Sequence, residues 1–181
     1  MTHKSFDPRR LDVERLARQG ASIEGRWPLA GLARLSESVV PDASAPELGW
    51  SARGELVSRP GQPDEIWLAL RAQGEMALVC QRCLQPLRQP LAVDRRIRFV
   101  RGEDQAARLD GELEDDVLAL GRSLDLCELV EDELLLALPL VPRHDICPAG
   151  AVAAATPTDE PASEPSPFAV LQTLLGDKPR G

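Results

Sequence analysis

The sequence predicts an α+β protein: an antiparallel β-sheet, barrel- or sandwich-like, with an N-terminal helix, a packed helix in the C-terminal half and a flexible C-terminal tail. Three observations carry this reading. Apolar side chains recur at every second position in three successive runs between residues 48 and 99, as in strands buried on one face. Residues 125–138 show a capped amphipathic helix that stops at Pro139. Strands therefore fill the middle of the chain and helices its ends, the order of a segregated α+β fold.

Along the chain, Asp7 or Pro8 starts the first helix, with Leu11, Val13, Leu16 and Ala17 near helical spacing and Gly20 ending it. Residues 21–27 read as extended, a helical turn follows Pro28, and residues 41–46 form a loop. Leu48, Trp50, Ala52, Gly54 and Leu56 alternate with polar positions, as do Ile66, Leu68, Leu70, Ala72, Met76, Leu78 and Cys80. Residues 59–63, Arg-Pro-Gly-Gln-Pro, turn between these two strands, and Gly74 is expected to bulge or bend the second. A third run, Leu91, Val93, Ile97 and Phe99, throws Arg96 and Arg98 to the opposite face. Asp110-Gly111 is a turn signal, and residues 116–120 suit one more strand.

The helix that follows is the clearest element. Asp125 caps it, Glu128 completes a capping box, and Leu126, Leu129, Val130, Leu134, Leu136 and Ala137 make one apolar face opposite Glu128, Glu131 and Asp132. Glu133 falls inside the apolar arc, where a carboxylate needs a partner. A guanidinium fork suits it, with Arg82 the first candidate and Arg143 the second. With Arg82 engaged in that pair, Arg95, Arg96, Arg98 and Arg101 become the arginines expected to be exposed and to face RNA.

At 181 residues the chain is long enough for one ordinary domain, expected over 1–147. Residues 148–166 read as a flexible linker, because residues 148–167 hold six Ala and five Pro without periodicity. In the terminal segment 167–181, Phe168 and Leu171, with Leu174 and Leu175, make an apolar docking side for the chain's own domain or a partner. No apolar run of about 18 residues occurs, and the N-terminus is charged rather than signal-like, so a cytoplasmic protein with no membrane association is expected.

The net charge of −8 argues against a general nucleic-acid binder, but the charge is polarised. Residues 80–108 hold seven Arg against three acids, whereas residues 109–147 hold two Arg against eleven acids. Two readings follow: the segments attract each other within the fold, or a basic surface meets RNA beside an acidic one that meets protein. With aromatic residues at 3% and no Tyr, a base-stacking platform is not expected.

One constellation offers a site. Cys80-Gln-Arg-Cys83 is answered some sixty residues later by His144-Asp-Ile-Cys147. The four would close a Cys3His tetrahedron around a structural zinc, with no position left open for catalysis. Free thiols, buried or exposed, are the alternative. Cys127 reads as a small core residue rather than a ligand. Enzymatic readings lack their residues: there is no phosphate loop, nucleophile elbow or His-Glu-x-x-His helix. A redox pair would belong at a helix N-terminus rather than at the end of an antiparallel run.

Cys-Gln-Arg-Cys-Leu-x-Pro (80–86), Leu-Val-Glu-Asp-Glu-Leu-Leu-Leu-Ala-Leu-Pro-Leu-Val-Pro (129–142) followed by His144 and Cys147, and Pro-Phe-Ala-Val-Leu (167–171) together resemble the bacterial YceD family of large ribosomal RNA subunit accumulation proteins. The resemblance implies a cytosolic, non-enzymatic factor for synthesis, processing or stability of large-subunit (23S) ribosomal RNA. Its partner would be that RNA or its precursor particle, met directly or through another protein. The alternative is a protein-interaction adaptor or regulator that uses the acidic helix and the C-terminal segment without touching RNA.

Overall fold

The computed structural model describes residues 6–41 and 46–148. The expected linker and the docking segment with Phe168 and Leu171 fall outside them.

Asp7 caps a 3-10 turn, Pro8–Arg10, and Asp12 caps helix α1, Val13–Arg18, by accepting the Arg15 N–H at 2.9 Å. The single N-terminal helix expected from the spacing is thus two pieces. Leu11 between them is extended and exchanges two backbone hydrogen bonds of 2.8 Å with Leu124. A second capping aspartate and an external strand-like partner outweigh helix continuity.

Strand β1, Ser22–Pro28, is followed by a 3-10 turn, Leu29–Gly31, and a short helix α2, Ala33–Glu37. Strands β2, Glu47–Val57, β3, Glu65–Val79, and β4, Pro86–Val100, form an antiparallel meander. Helix α3, Glu103–Glu112, then crosses over to β5, Asp116–Ala119, which pairs parallel to β4. A parallel neighbour requires such a crossover, so an all-antiparallel sheet fails once α3 exists. Asp110-Gly111 is not the expected turn but lies within α3, and the Asp110 carboxylate accepts the Val117 N–H at 3.1 Å.

The sheet order is β1-β2-β3-β4-β5. It is open at β1 and β5, which corrects the barrel- or sandwich-like expectation. Helices supply the covering layer that a second sheet or closure would have supplied. Leu68, Leu70 and Ile97 on one face pack with Leu16 of α1, Leu35 of α2, and Leu126, Val130 and Leu134 of helix α4, Leu126–Leu136; all are fully buried or nearly so. The other face keeps α3 over the β4–β5 corner, through Ala106, Val100 and Val117, and carries the buried Trp67, whose ring lies under Arg96 and whose indole N–H donates to Glu65. Asp125 caps α4 as expected, accepting the N–H groups of Cys127 and Glu128.

Two glycines mark close approaches rather than turns. Gly74 lies in unbroken register opposite Leu91, so the expected bulge is absent; a Cβ there would collide with the Leu48 side chain. A Cβ at Gly54 would lie 2.4 Å from the backbone nitrogen of Ala17 in α1. Backbone cannot swing aside as a flexible side chain can. Gly54→Ala is expected to cost about 3 kcal/mol in urea denaturation; a loss under about 1 kcal/mol would mean that α1 slides freely on β2.

Candidate metal centre and the arginines around it

The Cys-x-x-Cys pair occupies the turn of the β3–β4 hairpin, whose last register pair is Val79 with Pro86. Within that turn, Cys80 accepts the Leu84 N–H at 2.8 Å and donates its own to Gln85 at 3.0 Å. The loop is tight enough to force Leu84 to φ 59°, the left-handed region that costs a leucine about 1–2 kcal/mol. The chain returns after α4: Gln81 N–H donates to the Pro142 carbonyl at 2.8 Å, and His144 N–H points at Cys80 Sγ from 3.4 Å.

These returns bring Cys80, Cys83, His144 and Cys147 together, their ligand atoms all within 4.8 Å of one another. Cys80 Sγ lies 3.9 Å from Cys147 Sγ, and Cys83 Sγ 3.4 Å from His144 Nδ1. A tetrahedral zinc has S–S and S–N edges of about 3.8 and about 3.5 Å, given its bond lengths. The observed spacings match that frame, so the residues fit a metal. His144 Nε2 lies 3.1 Å from the Pro86 carbonyl. A carbonyl only accepts, so Nε2 carries the proton and Nδ1 presents its lone pair to the cluster, as a ligating histidine requires.

Burial pushes the Cys80 thiol up, but the N–H groups of His144, Cys83 and Arg82 aimed at its sulfur outweigh this and bring it down to about 5. The sulfur is therefore a thiolate at neutral pH, the form that ligates. Burial raises Cys83, and likewise Cys127. Cys127, in the first turn of α4, is buried in the main core and contributes no atom to the cluster.

Arg82 does not reach Glu133. Its Nε donates to Cys147 Sγ at 3.0 Å, and Nη2 donates to the carbonyls of His144 and Asp145, so it fastens the returning segment to the hairpin. Glu133 is held instead by Arg95 at 3.0 Å, and Arg143, the second candidate, has no ion pair among the described residues. The reason is strand alternation: Arg95 points to the helix-covered face of β4, while Arg82, in the hairpin turn, is engaged by Cys147, His144 and Asp145. A double-mutant cycle on Arg95→Met and Glu133→Gln is expected to show coupling of about 0.5–1 kcal/mol. The same cycle with Arg82→Met should be additive.

The other arginines expected to face RNA are also engaged. Arg96 reaches Glu55 at 3.3 Å and lies over the Trp67 ring, Arg98 reaches the buried Glu65 at 3.2 Å, and Arg101 reaches Glu14 at 2.9 Å. Arg95, Arg96 and Arg101 are exposed as expected, but Arg98 is half-buried. They form no single stripe, since Arg95 faces the helix layer and Arg96 and Arg98 the opposite side.

Three of the four acids of the helix, Glu131, Asp132 and Glu133, are likewise committed. Glu131, placed on the polar arc by the helical projection, is only 7% exposed. It accepts the Leu35 N–H at 3.0 Å and an Arg34 ion pair at 3.1 Å, while Asp132 takes the other side of the same guanidinium at 2.6 Å. Sequence reasoning missed this clamp because its two sides lie 97 residues apart. It also missed the Pro86 carbonyl behind His144 and the left-handed Leu84, because a leucine gives no local signal for a positive φ.

Fold and site together define an open α+β sheet protein whose longest hairpin ends in a Cys3His cluster suited to hold a metal. The chain belongs to the YceD family: the family model described as "Large ribosomal RNA subunit accumulation protein YceD" matches residues 68–175, a span containing all four cluster residues. A relative of that same description from Haemophilus influenzae is 34% identical over 175 residues, covering 92% of this chain and 95% of the relative. No solved structure matches.

Proposed function

We propose that this protein supports the synthesis, processing or stability of large-subunit (23S) ribosomal RNA in the cytoplasm, without catalysing a reaction. The observation that carries this is the near full-length similarity to a large ribosomal RNA subunit accumulation protein. A structural zinc held by Cys80, Cys83, His144 and Cys147 pins the α4 exit to the β3–β4 hairpin; with four protein ligands it leaves no position for a reactant. No helix of the described residues is long and apolar enough to cross a membrane.

Direct contact with RNA or its precursor particle would run through Arg96 and Arg101 first, with Arg95 and Arg98 behind them. Their ion pairs are partly exposed, and such pairs exchange readily for phosphate. A second reading, a protein-interaction adaptor, is favoured by one observation: every one of these arginines already has an acidic partner within the fold. Because α4 is committed to Arg34 and Arg95, an adaptor would bind through the C-terminal half's apolar surface rather than an acidic helix face.

Sedimentation of the tagged protein with sequencing of cross-linked RNA separates the two. Co-migration with large-subunit precursors and direct cross-links are expected. Co-migration without cross-links would establish the adaptor, and sedimentation only as free protein would overturn both.

A further inference from the structure

We propose that the exposed apolar face around the Cys3His cluster is the seat of the chain's own C-terminal segment, residues 167–175. Among the described residues, eight large apolar side chains are exposed, and six of them are concentrated on the two stretches of chain that lead into the cluster: Val79 and Leu84 at the hairpin turn, and Leu136, Leu140, Val141 and Ile146 between the end of α4 and Cys147. Apolar surface concentrated in this way marks a contact site rather than scatter.

Leu84 is the most pointed of the six. It holds the left-handed φ of 59° yet is 72% exposed, so neither the backbone nor the local packing favours a leucine over a glycine there. A strained residue offering its side chain to solvent is explained by something that lands on it.

The occupant follows from where the chain goes. It leaves the described structure one residue after Cys147, itself a member of the cluster, and continues for 33 more residues. Residues 167–175, Pro-Phe-Ala-Val-Leu-Gln-Thr-Leu-Leu, carry no charge and five large apolar side chains. A chain of 20 residues, the length from 148 to 167, would span about 25 Å if it behaved as a flexible coil, and a tether of that length gives an effective concentration on the order of millimolar. Weak apolar contacts suffice under such a tether. Asp159, Glu160 and Glu164 on the spacer oppose the exposed Arg143, which has no acidic partner among the described residues. The family match extends from residue 68 in β3 to Leu175, so its range includes both the cluster and the segment.

The test compares the full chain with the full chain carrying Phe168→Ser and Leu171→Ser. In the full chain, a soluble paramagnetic probe is expected to relax the methyls of Leu84, Leu140 and Ile146 several-fold less than in the variant, at every protein concentration. Leu84→Gly, which relieves backbone strain instead of adding it, should leave thermal stability unchanged or higher while opening residues 168–175 to protease. Equal methyl relaxation in the two proteins would overturn the proposal. So would protection that grows with concentration, which would seat a second copy's segment, or protection seen only after adding ribosomal particles, which would seat a partner. RNA binding enters none of these readouts, so the outcome is independent of the proposed function.

Discussion

Cys83→Ser is expected to release residues 139–148 from the hairpin while the sheet stays folded. Beyond the cluster itself, that segment is tied to the hairpin by the Gln81–Pro142 backbone hydrogen bond, the Pro86 carbonyl on His144, and Arg82, whose main sulfur partner is Cys147. Remove one thiolate from a tetrahedral site and metal affinity collapses, taking the shared frame with it. Amide exchange at Gln81 and His144 should accelerate by about two orders of magnitude, while Leu68 and Leu70 in β3 keep their protection. Cys127→Ser is the control: its side chain lies in the main core away from the cluster, so any loss of stability should leave exchange at Gln81 and His144 unchanged. Uniform acceleration in both variants would mean that the cluster has no local role.

Glu131→Ala should be the most damaging single change on α4 outside the leucines. It strips the buried Leu35 N–H of its acceptor and leaves Arg34 with Asp132 alone. An orphaned buried donor costs about 2–3 kcal/mol. Glu133→Ala only releases a half-exposed arginine and should cost about 1 kcal/mol or less. Burial by itself would raise the Glu131 carboxyl, but the Leu35 N–H and the Arg34 guanidinium outweigh it and hold it below the ordinary carboxylate value of 4.5. A depressed folded pKa stabilises the fold fully above the unfolded value, and the contribution drains away as pH falls through the folded one. The wild type should therefore lose stability below about pH 4.5 more steeply than Glu131→Gln. Parallel acid limbs for the two proteins would contradict the clamp.

The strands and α4 were legible because a half-buried strand and a capped amphipathic helix each write their period into the residues. The cluster was legible because two cysteines with two residues between them and a His-x-x-Cys are chemistry that spacing alone preserves. What failed was everything set by distant register. Arg82 looked like the partner of Glu133 because the two belong to neighbouring motifs, yet strand alternation gives that role to Arg95. Glu131 looked solvated because nothing in the five residues of α2 announces a helix able to cover it. Asp110-Gly111 hid α3, and without α3 no pattern tells a parallel β5 from an antiparallel one. The closed-sheet expectation fell for the same reason: strand periodicity reports which face is buried, not what buries it.

Native mass spectrometry of the protein purified without chelator tests the metal-clamped hairpin most directly. One zinc per chain is expected, with Cys127 as the single thiol outside the site and metal content lost in Cys83→Ser and Cys147→Ser. Less than about one-tenth of an equivalent bound, with Cys80, Cys83 and Cys147 freely titratable, would contradict it.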